Sequence, residues 1–216
     1  MFFVDSADPL QIKELCRYGL VDGVTTNPTL IKRSGGDYKL ILREICSLVR
    51  GPVSAEVVAT DCDGMLQEGL KLCQIANNIV VKVPCTKEGL AASYQLKKMG
   101  KSVNVTLCFS AAQAVLAAKT GADYISPFLG RIEDIGHDGV GLIEDIADIY
   151  SAAGFETKIL AASIRSVSHV LDSLKSGADV VTAPPKILHQ MFDHPLTEKG
   201  LDTFLKDWSD TKQKIC

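Results

Sequence analysis

Short apolar runs rich in valine and isoleucine recur eight times along this chain of 216 residues, at positions 2–5, 23–26, 53–58, 79–83, 103–107, 124–128, 158–162 and 180–183. Each has four to six residues, mostly apolar, as in parallel strands covered on both faces. Between them lie segments whose apolar residues recur at helical spacing, at 61–75, 87–99, 110–120, 142–153 and 166–176. In 110–120, for example, Ala111, Ala114, Val115 and Ala118 make one stripe. Gly100, Gly121, Gly154 and Gly177 fall just after helix-like runs, where a left-handed residue ends a helix. Eight β/α units in so short a chain predict an α/β fold, a single (β/α)8 TIM barrel domain spanning 1–216. The competing architecture, a doubly wound open sheet, would carry fewer strands and a glycine-rich loop after the first; this chain reads Asp5-Ser-Ala-Asp-Pro there.

Composition narrows the function. Hydrophobic residues make up 46% and charged residues 23%, which excludes a disordered tail. Net charge is −3 and no block of five like charges occurs, so no nucleic-acid partner is expected. The first residues, MFFVDSADPLQ, have no basic leader region, and no stretch approaches the ~20 apolar residues of a membrane span. The seven cysteines, at 16, 46, 62, 73, 85, 108 and 216, show no C-x-x-C spacing and sit in apolar or helical contexts. They read as reduced thiols of a cytoplasmic protein. The four histidines show no ligand spacing, so no metal is expected and none of them is given a role.

In a parallel barrel, chemistry gathers at the C-terminal ends of the strands. Those positions hold Asp5, then Thr25 and Asn27, Glu56, Lys82, Asn104 and Thr106, Ser126 with Arg131, and Ser163 with Arg165. Seven strands in succession end in polar or charged side chains. Buried groups of that kind need common partners, so a shared polar centre is expected. Lys82 interrupts Ile79-Val-Val-Lys-Val-Pro, otherwise a core strand. It reads either as a lysine snorkelling from a strand end or as an amine in a dry site, where desolvation favours the neutral form that attacks a carbonyl. Asp5 and Glu56 interrupt apolar runs in the same way. They supply either simple salt bridges to Lys82 or the proton relays that Schiff-base chemistry requires. Arg131, Ser163 and Arg165 form a candidate phosphate clamp, with Ser163 and Arg165 two apart and expected to face the same way.

On these residues the chain resembles the short transaldolases and their fructose-6-phosphate aldolase relatives. The shared phrases are Val4-Asp-Ser-Ala, Asp22-Gly-Val-Thr-Thr-Asn-Pro-Thr-Leu, Val53-Ser-Ala-Glu-Val, Val81-Lys-Val-Pro, Asn104-Val-Thr-Leu, Ser126-Pro-Phe-Leu-Gly-Arg and Ala161-Ala-Ser-Ile-Arg. The resemblance implies that Lys82 forms a Schiff base with a ketose phosphate, that Asp5 deprotonates the hydroxyl at which the carbon–carbon bond breaks, and that Glu56 with Thr106 holds a proton-shuttling water. It implies that Thr25, Asn27, Asn104, Ser126 and Phe128 line the sugar site and that Arg131, Ser163 and Arg165 hold the phosphate. No metal or organic cofactor is implied. The implied reaction, in the pentose phosphate pathway, moves a dihydroxyacetone unit from sedoheptulose 7-phosphate to glyceraldehyde 3-phosphate. The aldolase relatives tend to carry glutamine in place of Glu56 and tyrosine in place of Phe128, so both positions favour the transferase. The competing readings are a fructose-6-phosphate aldolase and a non-catalytic barrel that binds sugar phosphates. Cys85, beside Pro84, stands where relatives more often carry an aliphatic residue or Met; it reads as a small buried hydrophobe rather than a redox sensor.

Beyond the eight units, Thr197 is placed to cap a helix over 197–210, with Leu201, Phe204, Leu205 and Trp208 along one face. That face is expected to pack on the barrel or on a neighbouring subunit. The resemblance implies a homo-oligomer, a pentamer or ring-like decamer.

Overall fold

The computed structural model describes residues 1–215, so Cys216 lies outside the described residues. Eight parallel strands close a barrel in chain order, β1 to β8, with β8 pairing back onto β1. The strands are β1 Phe2–Asp5, β2 Gly23–Thr25, β3 Val53–Glu56, β4 Ile79–Pro84, β5 Val103–Cys108, β6 Tyr124–Pro127, β7 Lys158–Ala161 and β8 Val180–Ala183. The crossovers carry α1 Pro9–Cys16, α2 Pro28–Ser34 with α3 Tyr38–Leu48, α4 Cys62–Cys73, α5 Lys87–Lys98, α6 Ala111–Lys119, α7 Leu129–Glu133 with α8 Gly139–Ala153, and α9 Val167–Lys175. After β8 come α10 Pro185–Gln190 and α11 Pro195–Asp210.

Most crossover helices begin on a short polar side chain that accepts a backbone N–H of the first turn. Asp8, Asn27, Asp37, Asp61, Thr86, Ser110, Asp138 and Ser166 all do so. Gly100, Gly121, Gly154 and Gly177 all take positive φ, from 66° to 94°. In α6 the buried stripe is Ala114, Ala117 and Ala118, with Ala111 and Val115 only half-buried. The face is therefore turned slightly from the one read in the sequence, because among several alanines composition alone fixes the face poorly.

Two apolar layers follow from the closure. A large cluster, with Val4, Leu42, Val81, Val105, Ile125 and Ile146 among its members, fills the space between barrel and helices. A small one, comprising Phe3, Val80, Tyr124, Leu160, Ala162 and Val180, plugs the barrel itself.

The terminal helix differs from the expectation. It starts at Pro195, and its cap is His194, whose Nδ1 accepts the Leu196 N–H at 3.2 Å. Proline's fixed φ suits the first helical position, so the helix begins before Thr197, which lies inside the first turn. No residue of α11 is buried, and Leu201, Phe204, Leu205 and Trp208 are all exposed.

Candidate active site

Strand alternation decides what faces the barrel axis. Phe3, Val80, Tyr124, Leu160 and Val180 make the apolar floor, with the Phe3 and Tyr124 rings 6.0 Å apart. Side chains two residues further along a strand share the same face. The next inward layer is therefore Asp5, Lys82, Ser126, Ala162 and Thr182. All five line one cavity of about 120 Å³, joined there by Thr25, Asn27, Phe128, Arg131 and Ser163. Larger hollows of about 620 and 460 Å³ lie beside β1 and at the opposite end of the barrel, and Lys82 lines neither.

Lys82 is only 4% exposed. Its Nζ stands 3.0 Å from Glu56 Oε2 and donates to the Thr26 carbonyl at 3.2 Å. Glu56 and Lys82 are register partners on β3 and β4, and Lys82 is in register with Asn104 on β5. Asn104 and Ser126 are fully enclosed and bonded to each other: Ser126 Oγ donates to Asn104 Oδ1 at 2.8 Å, and Asn104 Nδ2 donates to Ser54 Oγ at 3.2 Å. Thr106 Oγ1 is, alone among the buried side-chain nitrogens and oxygens of the described residues, without a hydrogen-bond partner.

Asp5 sits opposite. Thr25 Oγ1 donates to its Oδ1 at 2.8 Å and lies 2.6 Å from Thr182 Oγ1. Thr25 has one hydroxyl proton, already given to Asp5, so Thr182 is the donor to Thr25. Burial raises the Asp5 carboxyl above the ordinary carboxylate value, against the pull of the Lys82 charge and the Thr25 hydroxyl, while Glu56 adds to the rise. Asn27 uses Oδ1 to cap α2, accepting the Leu30 N–H at 3.0 Å.

The basic side of the cavity comes from β6 and β7. Arg131 lies over the Phe128 ring, 5.0 Å from its centroid. Ser163 lines the cavity, but Arg165 does not follow it. The strand ends at Ala161 and Ser163 takes a left-handed φ of 61°, which breaks the alternation that would have pointed both residues the same way. Arg165 instead pairs in bidentate fashion with Asp134. Glu56, Asn104 and Thr106 stand around this cavity rather than among its lining residues.

Some contributors were missed in the sequence. Thr182 reads as an ordinary β-branched strand residue, yet it lies two beyond Val180 and so shares the inward parity of Lys82. Tyr38 donates its hydroxyl to the Glu56 carbonyl at 3.2 Å, and burial, with Glu56 and Glu68, pushes that hydroxyl up to about 12. His169, given no role above, ties Glu133 through Nε2 at 2.9 Å and accepts the Arg165 N–H on Nδ1 at 3.4 Å. Burial pushes the Cys85 thiol up to about 11, which disfavours the reactive thiolate. Among the described residues no group of three His, Cys, Asp or Glu side chains is arranged to hold a metal, and no helix is long and apolar enough to cross a membrane.

A sequence model described as transaldolase/fructose-6-phosphate aldolase matches residues 2–215. The chain is 62% identical over 214 residues to a probable transaldolase of Ruegeria pomeroyi, covering 99% of each chain. It is 59% identical over 214 residues to a probable transaldolase of Dinoroseobacter shibae, again covering 99% of each. In fold it is similar to an inosine 5'-monophosphate dehydrogenase from Legionella pneumophila, with TM-score 0.61 at 15% identity, covering 86% of this chain and 58% of that one. A thiamine phosphate pyrophosphorylase from Pyrococcus furiosus gives TM-score 0.59 at 13% identity, covering 85% and 84%.

Proposed function

We propose, from the premise that this chain belongs to the transaldolase/fructose-6-phosphate aldolase family, that it is a transaldolase working through a Schiff base on Lys82. The observation that carries this reading is a buried lysine in the inward layer, ion-paired to Glu56 and opening on the same cavity as Asp5.

A proton passed from Lys82 to Glu56 leaves a neutral amine. The amine attacks the ketose carbonyl, and Glu56 returns the proton to the departing hydroxyl as water leaves and the imine forms. The unpartnered Thr106 hydroxyl is suited to hold a water on this path. Asp5 then takes the proton of the hydroxyl on the fourth carbon. The bond between the third and fourth carbons breaks, an aldehyde leaves, and its electron pair passes to the imine, giving an enamine. Attack of the enamine on an acceptor aldehyde reverses these steps, and water releases the product. Asn27, through its Nδ2 group, and Ser126 orient the dihydroxyacetone hydroxyls, with Asn104 behind Ser126 holding its hydroxyl in place. Arg131, Ser163 and Arg165 hold the phosphate of sedoheptulose 7-phosphate, fructose 6-phosphate or the acceptor.

Phe128 adds no hydroxyl to protonate the enamine and carries Arg131 on its ring, which favours transfer over release of free dihydroxyacetone. Borohydride reduction in the presence of fructose 6-phosphate tests the chemistry: intact mass should show one adduct, absent from Lys82→Met. A protein that binds the sugar but traps no adduct is a binding module. A coupled assay with and without erythrose 4-phosphate then separates transferase from aldolase, since acceptor-independent turnover at an equal rate would assign the aldolase. We further propose a homo-oligomer, supported by the uncovered face of α11, and a cytoplasmic location, in keeping with the free cysteines of the described residues.

A further inference from the structure

Asp134 follows α7 directly, three residues beyond Arg131, and its two carboxylate oxygens take the two Nη atoms of Arg165, one of them at 2.5 Å. This placement is built into the backbone. Arg165 crosses Gly130 so closely that a Cβ there would lie 2.6 Å from Arg165 Nε and would also collide with the Ser163 carbonyl. Gly130 N donates to that same carbonyl at 3.2 Å, and His169 accepts the Arg165 N–H. Hydrogen bonding from Arg165, with the charges of Arg165 and Arg131, holds the Asp134 carboxyl below the ordinary carboxylate range. The Asp134 carboxylate thus pairs with the guanidinium that is turned away, Arg165, while Arg131 lines the cavity.

We propose that Asp134 is an internal stand-in for the substrate's phosphate, holding Arg165 out of the cavity until a phosphate dianion replaces it as the guanidinium's partner. The proposal rests on reading Arg131, Ser163 and Arg165 as the phosphate clamp. A carboxylate presents the same two-oxygen edge to a guanidinium as a phosphate does, so the exchange preserves the fork geometry. The Arg165–Asp134 pair is about half exposed, and such pairs are weak enough to give way to a doubly charged ligand. Without an anion, two guanidiniums in so small a cavity would repel, so the stand-in also keeps the empty site intact. A sugar without phosphate leaves Arg165 on Asp134. Asp134 is thus a specificity-determining residue, setting how strongly phosphorylated sugars are favoured.

The test is calorimetric titration of inorganic phosphate into the full-length protein, Asp134→Asn, Asp134→Glu, Arg165→Ala and Asp134→Asn/Arg165→Ala, the double variant being compared with Arg165→Ala. Asp134→Asn should bind phosphate about two- to fivefold more tightly, the range set by an exposed ion pair. Asp134→Glu should restore weaker binding, and the gain should vanish in the double variant. A gain in affinity is not an effect of structural damage. If Asp134→Asn binds phosphate equally or more weakly, Asp134 orients Arg165 instead of competing for it, and the proposal fails. A gain that persists without Arg165 reflects only the change in net charge, and also overturns it. If phosphate binds none of the proteins and does not compete with fructose 6-phosphate, the clamp itself falls and the stand-in with it.

Discussion

Glu56 and Lys82 are in register on adjacent parallel strands, and the carboxylate holds the ammonium at 3.0 Å behind a cavity that the lysine also lines. Side-chain exposures of 14% and 5% keep water from screening the pair. Proton exchange between them is therefore short, and the loss of either partner is felt by the other.

Lys82→Met should abolish turnover and adduct formation while the barrel persists, because an unbranched apolar chain fits a core strand. The variant leaves Glu56 without its counter-ion. At about 2 kcal/mol, below the range for fully buried pairs, the loss should lower Tm by about 4–8 °C at this chain length. Adding Glu56→Gln should recover part of that loss. Circular dichroism melting and a turnover assay check both halves; retained activity would remove Lys82 as the nucleophile.

Glu56→Gln keeps the shape of the side chain and deletes its proton exchange. Transfer should slow by about a hundredfold or more, the usual contribution of a positioned acid–base group. The ratio of acceptor-independent cleavage to transfer should rise. A coupled assay run with and without acceptor measures that ratio, and an unchanged value would confine Glu56 to pairing with Lys82.

Asp5 is the group whose ionisation burial opposes. Its folded value lies above the ordinary 3.8, so across that interval the folded state binds more protons than the unfolded one. Its contribution to stability is thus most favourable at low pH and falls as pH rises through the folded value. Asp5→Asn should abolish cleavage yet raise Tm at pH 7, since its side-chain oxygen still accepts from Thr25. The gain should fade as pH falls toward 3.8. A lower Tm at pH 7 would show that attraction to Lys82 outweighs desolvation.

The barrel and its inward layer were legible because both rest on short-range periodicity. The eight apolar runs gave the strands, and Lys82, Glu56 and Asp5 stood out as charges inside them. Thr182 did not, since threonine is a common strand residue and only its parity relative to Val180 marks it. Arg165 was placed facing Ser163 by counting two residues, but a left-handed φ at Ser163 rotates the chain between them. A non-glycine residue gives no warning of that conformation. Asp134 looks like any charge after a short helix, and its role depends on an arginine 31 positions away. The cap of α11 was misread because Thr197 fits the usual capping types, whereas the stronger signal was Pro195 behind His194.

Arg165→Ala should raise KM for phosphorylated sugars by about ten- to hundredfold, the range for charge-assisted hydrogen bonds to an anion. The effect on dihydroxyacetone should be much smaller. Steady-state kinetics with both substrate types checks the split, and equal effects would take Arg165 out of the clamp.

The last prediction concerns α11. Its four large apolar side chains, Leu201, Phe204, Leu205 and Trp208, are 43–73% exposed on the isolated subunit. Full burial is worth roughly 1.5–3 kcal/mol for each. A 16-residue helix with such a stripe would gain stability from a second surface that covers it. The barrel is closed by β8 without this helix, so nothing in the fold of one subunit requires it. A second copy of the chain is the occupant that fits the expected homo-oligomer. Truncation after Asp193 should therefore lower the assembly mass in multi-angle light scattering, with the remaining helical signal preserved. Trp208→Ala with Phe204→Ser should do the same without shortening the chain. A truncated protein that keeps its full assembly mass would show that α11 folds back onto its own barrel in solution.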